Sequence, residues 1–144
     1  MDHIPSIRSV MTPFPHFVDV GDSVLAAKAL MARNDVRHLP VKEGNELVGV
    51  LTDRDLKRAL DPDLGLPVKE ELFVRDVFVP GAFTVDTSEP LDRVLEEMAR
   101  RHVGSVLVTS HGRLAGIFTT IDACRVLCDH LRALVPPRPG NHVA

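Results

Sequence analysis

Two segments of the chain set a hydroxyl and a carboxylate three residues apart, just behind a glycine. They are Gly49-Val50-Leu51-Thr52-Asp53-Arg54-Asp55 and Gly116-Ile117-Phe118-Thr119-Thr120-Ile121-Asp122. Where a strand turns into a helix, such a Thr and Asp have two chemistries open to them. They can tie off the free amides of the first helical turn, the hydroxyl covering one and the carboxylate another. They can also grip a nucleoside phosphate. A hydroxyl beside a helix N-terminus suits the phosphate, and an acid one turn on can accept hydrogen bonds from paired ribose hydroxyls. A glycine late in a strand signals close approach by another group, and a ligand is the candidate.

The rest of the chain offers little other chemistry. It has no nucleophile elbow, phosphate-binding glycine loop or zinc-protease spacing, and no Ser–His or Cys–His pair at a useful distance, so no enzymatic activity is expected. Seven histidines are scattered. The two cysteines, Cys124 and Cys128, share one face of a helix at i, i+4. They read as a metal or redox pair with His130, or as small apolar residues facing a core or a dimer contact. The second reading is preferred, because a metal site wants about four ligands.

The elements that must position the two segments are themselves duplicated. A shift of 67 carries Gly49, Thr52 and Asp55 onto Gly116, Thr119 and Asp122, and Val10, Pro13, Met31 and Val41 onto Val77, Pro80, Met98 and Val108. Each copy reads as β-α-β-β-α. Ser6 to Met11 is a short helical lead, broken by Thr12-Pro13-Phe14-Pro15. His16 to Val20 is a strand, Val24 to Asn34 a helix with Val24, Ala27 and Met31 as its apolar stripe. Arg37 to Lys42 and Glu46 to Leu51 are hairpin strands, and Asp53 to Leu60 is the second helix. The second copy repeats this with strands Phe83–Asp86, Gly104–Thr109 and Arg113–Phe118, a helix with Leu91, Val94, Leu95 and Met98 on its stripe, and a last helix from Thr120 to Leu134. An α/β (α+β) fold is expected: repeats over 7–61 and 74–131, a linker over 62–73 and a flexible tail over 135–144. Three strands in each copy would form a small mixed sheet with both helices on one face. The helical faces of the copies would pack together about a pseudo-two-fold axis, sharing a core neither could bury alone.

Composition narrows the partners. At 144 residues with a net charge of −3, both signs scattered and no Trp or Tyr, the chain lacks the basic patch and stacking platforms of a nucleic-acid binder. No apolar run reaches the roughly 20 residues of a membrane span, and no charged-then-apolar leader opens the chain. A cytoplasmic protein is expected.

The doubled Gly-apolar-x-Thr/Ser-x-x-Asp/Asn motif, with Val10-Met11-Thr12 in the lead and Arg37-His38-Leu39-Pro40-Val41 in the middle strand, resembles a tandem pair of cystathionine-β-synthase (CBS) domains, a Bateman module of stand-alone prokaryotic type. The resemblance covers about residues 7 to 131. It implies clefts between the copies that bind adenosine-containing ligands: AMP, ADP or ATP, with S-adenosylmethionine or NAD as alternatives. One cleft would join Thr12, Pro13, Phe14, Arg37, His38 and Pro40 to Thr119 and Asp122. The other would join Val79, Pro80, Gly81, Gly104 and Ser105 to Thr52, Arg54 and Asp55. Arg37 and His38 stand where the family places phosphate-binding side chains, or else form a solvated strand edge. Arg54 supplies a cation to the second cleft, or else pairs with Asp53 or Asp61. The nucleotide would be a regulatory ligand, with no cofactor required. A homodimer through helices is implied, for which Ala26-Ala27, Ala29-Leu30 and Val126-Leu127 offer apolar surface. Any regulated protein would be a separate chain, and a ligand-free dimeric scaffold is the other functional reading.

Overall fold

A computed structural model describes residues 3–64 and 72–135. Residues 65–71 of the expected linker and 136–144 of the expected tail lie outside the described residues. The elements run β1 (Thr12–Pro13), β2 (Val18–Asp19), α1 (Val24–Asn34), β3 (His38–Glu43), β4 (Glu46–Thr52) and α2 (Asp53–Ala59). The second half repeats them as β5 (Val79–Pro80), β6 (Thr84–Asp86), α3 (Leu91–Arg101), β7 (Ser105–Ser110), β8 (Arg113–Thr119) and α4 (Thr120–Ala133). Ser23 caps α1, its side chain accepting from the Ala26 amide at 3.0 Å. Pro90 is the N-cap of α3.

The sheets differ from the expected three-stranded ones. Each has four strands, in the orders β1-β8-β7-β6 and β2-β3-β4-β5, and in each one edge strand comes from the other copy. β1 of the first repeat runs antiparallel to β8, with Thr12 opposite Ile117 and Pro13 opposite Gly116. β5 of the second repeat runs antiparallel to β4, with Val79 opposite Val50 and Pro80 opposite Gly49. A two-residue strand holding proline is tolerated here because both strands lie at a sheet edge.

The exchange continues upstream. The Ile7 amide donates to Glu89 O (2.8 Å) and the Leu91 amide to Pro5 O (2.9 Å). The pair one repeat away, Val74 to Asp22 O and Val24 to Leu72 O, matches them at 2.8 and 3.0 Å. Ile7 therefore lies in the core of the second half, with Leu91, Val94, Met98, Val106, Val108 and Phe118. Leu72 and Val74 complete the core of the first, with Val24, Ala27, Met31, Leu39, Val41 and Leu56 among its members. Each helical stripe is buried as expected except Leu95, which is 37% exposed.

The packing of the halves also differs. Pro40, Val50, Leu107 and Ile117 are buried but belong to neither core. Strand alternation turns them to the sheet face away from the helices. There β4 meets β8, joining the halves through their sheets. The helical faces are left outward, and no residue of α4 is fully buried. Ala27, Leu30 and Val126, expected on a dimer surface, instead face the cores, whereas Ala26, Ala29 and Leu127 are exposed. Cys124 and Cys128 are exposed too, which removes the core from their readings.

The two motif glycines find their reason here. A Cβ on Gly49 would collide with the Val79 carbonyl and stand 2.9 Å from the Phe78 ring; one on Gly116 would collide with Met11 Sδ and stand 2.9 Å from Thr12 O. The close approach expected of a ligand is made by the exchanged strand. Gly49→Ala and Gly116→Ala should each destabilise the protein by about 1–3 kcal/mol through overpacking. Urea denaturation followed by circular dichroism measures this, and an unchanged midpoint would contradict the exchange.

Candidate functional site

β4 and β8 end in the same corner. Thr52 is the N-cap of α2: its Oγ1 accepts from the Asp55 amide at 3.1 Å, and Asp55 Oδ2 accepts from the Thr52 amide at 2.9 Å. Thr119 caps α4 likewise, Asp122 Oδ2 accepting from the Thr119 amide at 2.8 Å and from its hydroxyl at 3.2 Å. The return bond from the Asp122 amide is long, at 3.5 Å. The next amide of each helix is also taken, Asp53 by Arg37 O (2.8 Å) and Thr120 by Gly104 O (3.1 Å). Capping is thus real in both copies. It uses one carboxylate oxygen of each Asp; Asp122 Oδ1 pairs with Arg125 at 3.8 Å.

The exchanged strands set the first pair of expected groups side by side. Phe14 donates its amide to Ala115 O (3.1 Å), so Thr12, Pro13 and Phe14 run along the strand that ends at Thr119. Gly81 donates to Val48 O (3.3 Å), and Val79, Pro80 and Gly81 run along the strand that ends at Thr52. All six are exposed, Phe14 by 91%. Phe14 and Gly81 are one repeat apart and share left-handed backbone, with φ of 48° and 69°. The conformation is free for Gly81 and costs Phe14 about 1–2 kcal/mol.

The middle strands are placed differently. His38 is the register partner of Thr52, and Ser105 that of Thr119, so each flanks the corner of its own copy. The contact across the axis is made by His38, whose Nε2 lies 3.4 Å from where a Cβ on Gly104 would stand. Pro40 is fully buried between the sheets. Arg37 and Arg54 are exposed. Arg54 makes no ion pair among the described residues; the Asp53 carboxylate is held by Lys57 at 3.1 Å. A groove of about 460 Å³ between α1 and α2 reaches this region only at Arg37 and Asp53. Among the described residues no three His, Cys, Asp or Glu side chains gather as a metal site requires. No helix among them is long and apolar enough to cross a membrane.

Burial lowers the His38 pKa below its ordinary 6.5, opposed by Asp53 and Asp55 and aided by Arg37. Sequence reasoning singled out the Thr–Asp corners but missed the partnership of Gly49 with Pro80 and Gly116 with Pro13. The common offset of 67 makes the two pairings equivalent without saying which copy supplies each strand.

The family model for the CBS domain matches residues 7–62 and again residues 74–129. The chain belongs to the CBS domain family. Among curated relatives it is similar to hypoxic response protein 1 of Mycobacterium tuberculosis, 30% identical over 129 residues, or 85% of each chain. It is also similar to an L-aspartate semialdehyde sulfurtransferase of Methanocaldococcus jannaschii, 24% identical over 125 residues and 85% of this chain. The chain spans only 23% of the length of that relative. Among solved structures it resembles CBSX2 in complex with AMP, at a TM-score of 0.75 and 26% identity, covering 88% of this chain and 98% of that one.

Since folding depresses the His38 pKa, the unfolded chain binds the extra proton first. Stability should fall as pH drops below 6.5 and level off once the native pKa is passed. Thermal melts of wild type and His38→Gln between pH 5 and 8 check this; the variant should lose that part of the slope.

Proposed function

We propose that the protein is a regulatory module that senses an adenine nucleotide (AMP, ADP or ATP) in the clefts between its two CBS repeats. The observation that carries the reading is the doubled corner. In each, a capped and therefore fixed carboxylate keeps an oxygen for the ribose, next to a strand supplied by the other repeat. A ligand lying there touches both halves.

In the first cleft, Thr119 and Asp122 take the sugar and phosphate, while Thr12, Pro13 and Phe14 line the base. An aromatic held exposed in a strained conformation suits a stacking partner. In the second, Thr52 and Asp55 take the sugar, and Val79, Pro80 and Gly81 offer backbone with little side chain. With the helix amides largely occupied, phosphate recognition falls to side chains. Arg37 and His38 serve one cleft from beside Gly104 and Ser105, and Arg54 serves the other. Guanidinium groups fork onto phosphate and repel a sulfonium, so they favour nucleotides over S-adenosylmethionine. The complex of CBSX2 with AMP supports the same ligand class.

The mechanism is linkage. A nucleotide that bridges the halves favours the closed arrangement by as much as its affinity differs between states. The outward helices carry the homodimer. We assign no catalytic role.

Calorimetry with AMP, ADP, ATP, NAD and S-adenosylmethionine tests this on wild type, Asp55→Asn and Asp122→Asn, variants whose amide oxygen can still cap. Each substitution should abolish one binding site and leave the other. Saturation at about 100 times Kd should stabilise the wild type by about 2.7 kcal/mol. Binding unaltered in both variants, or absent for every ligand, would reject the reading.

A further inference from the structure

Each sheet has an exchanged strand at one edge and a strand of its own repeat at the other, β2 in the first half and β6 in the second. β6 runs parallel to β7, with Val85 opposite Val108. The Leu107 amide donates to Phe83 O (2.9 Å) and the Thr87 amide to Thr109 O (3.0 Å). Backbone direction alternates along a strand, so Val85 turns its N–H and C=O to β7, while Thr84 and Asp86 turn theirs away from the sheet. The Asp86 carbonyl is taken by the Glu89 amide at 3.0 Å. The N–H and C=O of Thr84 and the N–H of Asp86 face an edge to which the described residues add no further strand. Both residues are exposed.

Beside this edge a groove of about 520 Å³ lies between β6 and α3. Its wall is braced. Glu97 accepts from Arg100 and Arg101 at 2.8 Å, and the Arg101 guanidinium stands 4.4 Å from the centre of the Phe83 ring at the start of β6. Glu97 is thereby neutralised. The other charged side chains on the lining are Asp86, Glu89 and Glu96 against Arg93, a negative surplus. Neither Glu89 nor Glu96 makes an ion pair among the described residues. One repeat earlier, Glu89, Glu96 and Glu97 give way to Asp22, Ala29 and Leu30. Asp22 is turned back on its own loop, its Oδ2 accepting from the Asp19 amide at 2.9 Å. The β2 edge therefore lacks the carboxylate rim.

We propose that the β6 edge docks an extended, lysine- or arginine-rich segment of a partner protein, which joins the sheet as a fifth strand. The backbone groups of Thr84 and Asp86 set its register, and its basic side chains on the helix side meet Glu89 and Glu96. A free cation would make no use of the outward N–H groups. A second copy of the same edge would bring the same negative surplus and be repelled. None of the residues assigned to the nucleotide clefts lines this groove, so docking here does not depend on the nucleotide reading.

The probe is a fluorescein-labelled six-residue peptide of alternating lysine and valine, titrated with full-length protein and followed by fluorescence anisotropy. It should bind saturably, at least tenfold more tightly than the alternating glutamate–valine peptide. The double variant Glu89→Gln, Glu96→Gln should weaken it at least tenfold. Glu43→Gln with Glu46→Gln, the same change of charge at the exposed β3–β4 turn, should leave it unaltered. Thr84→Pro removes an outward N–H and spares the bonds of Val85 to β7. With its thermal melt unchanged, this variant should also lose at least tenfold in affinity. Equal losses in the two double variants would reduce the binding to general charge attraction and overturn the proposal. Undiminished binding to a folded Thr84→Pro would overturn the added strand, and no binding to wild type would overturn the site.

Discussion

The backbone of Gly116 lies directly beneath Met11 and Thr12, and that of Gly49 beneath Phe78 and Val79. The rest of the architecture depends on this doubled contact. With no side chain at either glycine, the lead of one repeat can lie flat against the last strand of the other. Once it does, Ile7 enters the second core and Val74 the first. Neither half retains a complete core without the other, so the two repeats form one structural unit although the sequence reads as two. The same contact brings the Thr12–Pro13 strand and the Thr119 corner, 107 residues apart between Thr12 and Thr119, into neighbouring positions.

The corner itself shows why structural and functional readings of a motif need not exclude each other. The Thr–Asp pair forms a full capping box in both copies. A box of this kind is local stabilisation, worth about 0.5–2 kcal/mol. It is also what holds the carboxylate in one direction. A side chain already immobilised by a cap loses little rotamer freedom when a ligand arrives, and that saving goes to affinity. Capping therefore prepares the acid for the proposed ribose contact.

Much of this was legible in the sequence, and the parts that were not share a cause. Helices and hairpins follow from periodicity, so α1 and β4 fall within a residue of where Val24, Ala27, Met31 and the Glu46–Leu51 run place them. β1 and β5 have no period at all: two residues, one of them proline, leave only the residue opposite as a trace. That residue is a glycine, and a bare glycine does not say what approaches it. The destination of Ile7 was hidden for a related reason, since an isolated apolar residue carries no record of which core receives it. The outward helical faces were misjudged because α4 is apolar on more than one side. Ala123 and Val126 pack inward while Leu127 and Leu131 remain exposed, and composition cannot tell a core stripe from a docking stripe.

Near a pseudo-two-fold axis, equivalent residues compete for the same space. His38 reaches across to Gly104, and its own counterpart is Ser105. An imidazole from one half is accommodated because the other half is small there. The same economy recurs at the mouths of the clefts, where Phe14 and Gly81 share a left-handed backbone but only one carries a ring. Duplication supplied two corners of one design, and crowding at the axis favours giving bulk and charge to one side only. On the proposed reading, the clefts of this chain are therefore built unequal. A nucleotide with higher affinity for the Phe14 cleft fills it first, and the other cleft responds over a separate range of concentration.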